Sequence, residues 1–292
     1  MQLLVGGLIS GLAQGLLYGL LGFATILLYK STGVANFAVG TMATVSVFAA
    51  YKVLTAGFSM GPSIALGLVI AVVIGVVVYW LAIAPNGSAG HLNLTIRTFG
   101  VNLVVLAAIN ATWAVGQPFE FPSAFSNGAA FTIGGVTVVW NTLGALVVAA
   151  ALVVTFVVIF RFTKVGLLFL ALAARPDVAR LLGVKVRRLT VIAWAMSAVV
   201  AACVAFLVAP ASRLSSEMLD PYLLLGFSAA IVGGLTSLYG VFIAGVAIGV
   251  IGNISALYTT SDIGTLVIFA ILLVMLIVRP SGIFGAPAIE RL

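Results

Sequence analysis

Six carboxylates, one histidine and one cysteine make up the acid, base and thiol chemistry of this 292-residue chain. None stands at a spacing that catalysis or metal binding requires. His91, in PNGSAGHLNLTIR, has no His, Asp or Glu neighbour at ligand spacing, which reads as a surface or interfacial histidine. Cys203 lies alone in AWAMSAVVAACVAFLV, so an intramolecular disulfide and a multi-cysteine metal site are both excluded. No HExxH or GxSxG stretch occurs and no Asp/Glu pair falls inside an apolar run, so no catalytic residue and no metal ligand is assigned and a non-enzyme is expected. Lys30, Lys52, Lys164 and Lys185 are the only lysines. None ends a GxxxxGK[ST] loop, so the chain has no phosphate cradle of its own for ATP. Carriers driven by protons or sodium keep carboxylates near the bilayer midplane. Here only Asp262 approaches an apolar run, near its outer end, which disfavours self-contained ion coupling.

The charge that does cluster is positive. Seven of the thirteen Lys and Arg residues lie between Arg161 and Arg188, opposed only by Asp177. That stretch supplies about +6 of the net +7, and the chain as a whole is 63% apolar and 7% charged. Such a composition describes a polytopic membrane protein, and the basic excess reports topology and anionic headgroups, with no nucleic-acid partner implied. Within the stretch, ALAARPDVARLLGV predicts a short helix from about residue 171 to 183. Pro176 suits a first helical turn, Asp177 faces the positive end of the dipole, and Gly183 is a C-terminal stop. Leu170, Ala174, Val178, Leu181 and Leu182 would form its apolar face, to rest on the inner leaflet or to dock into a partner.

The elements that must position these residues follow from the length needed to cross hydrocarbon. The expected fold is all-α: a polytopic helical bundle in one transmembrane domain over residues 1–292, with the 161–188 loop as its cytoplasmic feature. About nine spans are predicted, at 5–28, 36–54, 60–83, 98–116, 137–160, 188–209, 223–238, 240–258 and 263–279. The first lacks a basic leader and is read as a retained helix. Gly-rich 223–238 is a candidate broken helix or re-entrant hairpin. By the positive-inside rule the 161–188 loop is cytoplasmic, and alternation places the N-terminus outside and the Arg279–Leu292 tail inside, with Lys52 the exception on the outer side. Gly7, Gly11, Gly15 and Gly19 recur every four residues and form a groove for close helix packing, repeated once by Gly245 and Gly249. Ser228 and Thr236 offer hydroxyls near the Gly233-Gly234 break, and Asn102 and Asn110 share a helix face.

Four segments, in order, resemble the permeases of ATP-binding-cassette (ABC) importers of the branched-chain amino acid type. Residues 173–183, AARPDVARLLG, look like the family's coupling loop. Residues 32–40, TGVANFAVG, resemble its TGxxNFAxG signature, FSAAIVGGL at 227–235 its Gly-rich stretch, and RPSGIFG at 279–285 its terminus. The resemblance covers about residues 6–285. It implies a permease subunit in the bacterial cytoplasmic membrane, with a second homologous or identical permease, two cytoplasmic ATPase subunits and an extracytoplasmic substrate-binding protein as partners. No cofactor would bind this chain, ATP and Mg being held by the ATPases. Coupling would fall to Arg175, Pro176, Asp177, Ala179, Arg180 and Gly183. Asn36, Phe37, Gly40, Ser228, Gly233, Gly234 and Thr236 are candidate path residues, although Asn36 also suits a helix cap. Solutes would be branched-chain amino acids or related small organic molecules. Where the family commonly has His or Gln before an acidic residue, this chain has Val39-Gly40-Thr41, which suggests either a more apolar path or that the lost groups reside in the partner permease. The alternatives are an energy-independent facilitator or channel, and a structural membrane subunit without a path.

Overall fold

A computed structural model of the chain describes residues 2–86, 90–113, 117–126, 128–133, 136–174 and 176–285. Eleven α-helices dominate the described residues: α1 (Gln2–Thr32), α2 (Val39–Thr55), α3 (Met60–Val78), α4 (His91–Trp113), α5 (Trp140–Phe162), α6 (Lys164–Ala174), α7 (Pro176–Leu181), α8 (Val186–Ser212), α9 (Asp220–Gly233), α10 (Gly240–Tyr258) and α11 (Ser261–Val278). A small hairpin, β1 (Ala129–Ile133) and β2 (Val136–Val139), precedes α5. The helical content follows from the apolar sequence, because hydrocarbon offers no partner for free N–H and C=O groups and only helices satisfy them within one segment. It also explains α1, which stays helical through six glycines that would each cost about 1 kcal/mol in a helix in water.

Among the described residues seven helices are long and apolar enough to cross a membrane, against the nine spans expected. The difference lies at two turns. The α2 segment shortens to 17 residues because 33–38 form an ordered turn before it. The α9 segment stops after 14 residues because Gly234 takes a left-handed φ of +101°, so 223–238 is a short helix followed by a break. The fourth span begins earlier than expected, at His91, and the fifth begins later, at Trp140, because β2 takes up residues 136–139.

Two compact units organise the chain: Met1–Ile26 with Ser123–Val158 and Tyr222–Leu292, and Leu27–Pro122 with Ile159–Pro221. In the first unit α1 lies against α10 backbone to backbone. A Cβ on Gly15 would sit 2.7 Å from the Gly245 carbonyl oxygen and the Val246 Cα, and one on Gly11 would sit 2.8 Å from the Val250 Cα. Gly19 meets Phe242 and Gly7 meets Leu257, so the four-residue glycine repeat receives one helix along its length. Phe23 stacks on Phe242 at 5.3 Å and tilts against Phe156.

In the second unit α3 is the central packing element, meeting α2 and α8 through small residues. A Cβ at Gly67 would reach the Ser46 carbonyl oxygen at 2.7 Å, and one at Gly75 the Trp194 carbonyl oxygen at 2.8 Å. One end is closed by aromatic rings, Phe48 on Trp113 at 5.1 Å and Tyr51 on Phe119 at 5.1 Å. There Phe119 and Leu214 exchange two backbone hydrogen bonds of 2.9 Å, and the Ser216 amide donates to the Gln117 side-chain carbonyl at 3.1 Å. At the opposite end α3 loosens into a π-helical turn, Tyr79–Ile83. Such turns shift the side-chain register of a helix, and this one carries Tyr79 and Trp80.

Candidate functional site

The basic stretch folds into an arm in the second unit. The chain reverses after α5 at Thr163, where Gly166 leaves room for the Phe160 carbonyl and Phe169 tilts against Phe160 at 5.4 Å. Where one helix over 171–183 was expected, the structure has two, α6 and α7, on either side of residue 175. Arg175 lies outside the described residues, as do the side chains of Ala174, Pro176 and Asp177.

Helix α7 opens on Pro176 and closes with a left-handed Gly183, φ +79°. The Val184 amide donates to the Ala179 carbonyl at 3.0 Å and the Gly183 amide to the Arg180 carbonyl at 3.1 Å. These two bonds, six-to-one and five-to-two, are a Schellman ending, which fixes the helix terminus without help from another element. Ala179 faces inward at 2% exposure, whereas Leu181 and Leu182 are 88% and 77% exposed, and Leu170 and Val178 are open as well. A capped helix end therefore presents an apolar face with nothing on it among the described residues.

The 32–40 signature forms a turn pinned to α4. The Asn36 side-chain oxygen accepts from the Ala38 amide at 2.9 Å, closing an Asx turn just before α2, and its amide nitrogen points to the Met42 sulfur at 3.9 Å. Thr98 accepts from the Phe37 amide at 3.3 Å and lies 3.1 Å from the Ala35 carbonyl, while Thr41 donates to Asn102 at 2.9 Å. Asn36, Val39 and Gly40 are completely buried. Val39 packs inside the unit with no exposed surface. Phe37 remains partly open, edge to face with the exposed ring of Phe99 at 6.2 Å. Thr98 and Phe99 escaped sequence reasoning, because a threonine and a phenylalanine in an apolar helix carry no signal beyond membership of that helix. His91 packs over Gly33, whose φ of +70° ends α1.

The other candidate path residues lie in the first unit. Ser228 is buried and donates to the Leu224 carbonyl at 3.0 Å, and Thr236 is exposed in the break between α9 and α10. Gly233 and Gly234 sit under two neighbouring segments. A Cβ on Gly233 would meet Gly240 backbone atoms at 2.6 Å, and one on Gly234 the Gly285 amide nitrogen at 2.6 Å. The RPSGIFG segment runs along this break, with the Ile283 amide donating to the Val232 carbonyl at 2.8 Å and the Phe284 amide to the Gly233 carbonyl at 3.2 Å. These are carbonyls that the end of α9 leaves without helical partners. Two stretches 45 residues or so apart in sequence thus form one joint.

Charges elsewhere are few. Arg213, held at φ +62° beyond α8, reaches Glu120 at 3.5 Å, both well exposed. Asp220, in the stretch ahead of the expected 223–238 span, has its carboxyl raised above the usual carboxylate range, first by burial and then by the charge of Glu217. No group of three or more His, Cys, Asp or Glu residues that could hold a metal occurs among the described residues.

Seven helices long and apolar enough to cross a membrane, among the described residues, define a multi-pass membrane protein. Residues 7–276 match the family described as branched-chain amino acid transport system, permease component, and the chain belongs to that family. It is 24% identical over 311 residues to the high-affinity branched-chain amino acid transport system permease protein LivH of Escherichia coli K12, across 97% of this chain and 96% of that protein. It is also 24% identical over 309 residues to the permease protein BraD of Pseudomonas aeruginosa, with the same shares covered. PsaBC from Streptococcus pneumoniae, solved in complex with Fab, shares the fold at a TM-score of 0.51 and 13% identity, over 96% of this chain and 93% of that one.

Proposed function

We propose that the chain is the transmembrane permease subunit of an ATP-driven importer for branched-chain amino acids or related small organic solutes. The carrying observation is α7: a helix capped by its own Schellman turn that leaves Leu181 and Leu182 almost wholly exposed. A facilitator needs no such arm, and the family membership favours the importer over that alternative. In this reading the arm faces the cytoplasm and inserts its apolar face into a groove of an ATPase subunit, as amphipathic helices do. Closure of the ATPases on ATP and Mg would then move the arm and rock the bundle between inward-open and outward-open states.

Arg175, Pro176, Asp177, Ala179, Arg180 and Gly183 are the coupling residues of the proposal. Gly183 sets the exit of the helix and Ala179 anchors its inner face. The solute path draws on Phe37 from the signature turn and Thr236 from the α9–α10 break. Asn36, Gly40, Ser228, Gly233 and Gly234 support that path by holding its backbone in place. A second permease subunit completes the path, and an extracytoplasmic binding protein delivers solute to the opposite end, putting the N-terminus outside and the tail inside.

The test is reconstitution of the purified subunits in proteoliposomes with paired assays of ATP hydrolysis and of labelled leucine uptake. The proposal expects uptake that requires both ATP and the ATPase subunits, and an ATPase that co-purifies with this chain. Leucine equilibration at the full rate without ATPase subunits would replace it with the facilitator reading.

A further inference from the structure

The second unit holds a cavity of about 630 Å³ at the end where α1 and α3 stop and α4 and α8 begin, within the roughly 300–1,000 Å³ of small-molecule sites. Its lining includes Arg180, Lys185, Arg187 and Arg188, with Tyr79 and Thr190 in its wall. Among the described residues none of the lining is acidic. Lys185, Arg187 and Arg188 around one space repel one another unless an anion joins them, and a partly enclosed space weakens the screening that water would provide.

One of these cations is held in position. The Arg187 guanidinium lies over the Trp80 ring, 4.3 Å from its centroid, and beside Tyr79, so the π-helical turn at the end of α3 fixes both the wall and the charge. Flat guanidinium groups suit phosphate oxygens in pairs. Lys185 directly precedes α8, a helix of 27 residues whose positive dipole end adds to the same field. The rest of the lining sets the hydroxyls of Ser31 and Thr32 beside apolar Ile83, Leu94 and Val184. A basic mouth over a partly apolar wall, at the level where membrane helices end, matches a phospholipid headgroup joined to its glycerol and acyl chains.

We propose that this cavity binds a phosphate ester, supplied by the headgroup of an anionic phospholipid of the phosphatidylglycerol kind. The site holds the α7–α8 turn against the ends of α1, α3 and α4, so its occupancy would set the rest position of the arm. It draws on the geometry of the second unit alone and stands whether or not the transport reading does.

The experiment takes the assembled transporter in detergent and measures bound lipid by native mass spectrometry, together with thermal unfolding. Phosphatidylglycerol, phosphatidylcholine and inorganic phosphate are added separately, to the wild type and to a Lys185→Gln/Arg188→Gln variant. Both altered side chains are exposed, so folding is retained. The expected result is retention of phosphatidylglycerol by the wild type, with about 30-fold weaker retention by the variant, as the loss of two surface cations predicts. Protection by inorganic phosphate that disappears in the variant, without lipid retention, keeps the phosphate chemistry and changes its source to a soluble one. Equal binding of both ligands to wild type and variant overturns the proposal. So does a zero-length carbodiimide cross-link between Lys185 and an ATPase carboxylate, which would assign the cavity to the subunit interface.

Discussion

The tail at 279–285 and the arm at 164–183 are both short, motif-bearing segments beside long helices, yet their polar and apolar groups end differently. The tail donates its Ile283 and Phe284 amides to the open carbonyls of α9, and its glycines meet Gly234 backbone to backbone. Its backbone amides and glycines are satisfied inside the first unit, and its Ile283 and Phe284 side chains are only half open, at 43% and 46% exposure. The arm satisfies its backbone through its own Schellman turn and leaves its leucines exposed. A motif satisfied within the chain reports on folding. One that leaves an ordered apolar face open reports on a partner, because such a face is stable in water or at a membrane surface only when covered.

The largest effect should come from breaking the joint of the tail. Gly234→Val places a β-branched residue at φ +101° and drives its Cβ into the Gly285 backbone, where the glycine leaves 2.6 Å. Strain and overpacking together should cost about 3 kcal/mol or more. The expected outcome is loss of folded, detergent-extractable protein in size-exclusion chromatography. A well-folded variant with impaired uptake alone would move Gly234 from the structural class to the path itself.

Ile283→Pro is a milder version of the same test. It removes the N–H that reaches the Val232 carbonyl at 2.8 Å and puts a ring carbon in its place. Leaving that acceptor without a partner should cost about 1–3 kcal/mol, visible as a lower unfolding temperature with coupling intact. If coupling falls and stability does not, the tail belongs with the arm and the contrast between them fails.

How much of this could be read in the sequence follows the same division. Class, helical fold and the arm's stop were legible, because composition and Gly183 carry local physical meaning, whereas its start was not. The glycine spacing in α1 announced a close contact, and the structure supplies its partner, α10. The joint of tail and α9 was not legible, since it depends on which backbone approaches which, and a glycine pair looks the same in a path, a hinge or a contact. Asn36 illustrates the limit: its side chain suited both a cap and a path, and only the Ala38 amide at 2.9 Å shows where its oxygen is used. The division of the arm into α6 and α7 escaped notice because a run of Leu and Ala continues through both. The basic cavity depends on the ends of four helices meeting the α7–α8 turn, a long-range arrangement that a run of charge could not announce.

On the arm, Leu181→Asp/Leu182→Asp should leave stability nearly unchanged, since both side chains are exposed. Uptake per ATP hydrolysed should fall about tenfold or more, the scale on which buried anchors of an interface act. Gly183→Pro should act in the same direction by removing the amide that closes onto Arg180. Wild-type coupling ratios in both variants would mean that the arm rests on lipid, and the contrast with the tail would become one of solvation alone.

The smallest perturbation is the most discriminating. Cys203 is the only cysteine, so a Cys203→Ala background with Leu182→Cys offers one labelling position on the arm. At an 88%-exposed neighbour and a 77%-exposed site, the substitution should change stability by under about 0.5 kcal/mol. A polarity-sensitive dye at residue 182 should shift to the blue on addition of the ATPase subunit, and shift further or back when ATP is added. In lipid alone the dye should hold its emission, because the apolar face is then waiting for a groove. A full blue shift in vesicles without ATPase would place Leu182 in the acyl layer, and α7 would then be a surface anchor whose capped end serves the membrane instead of a protein partner.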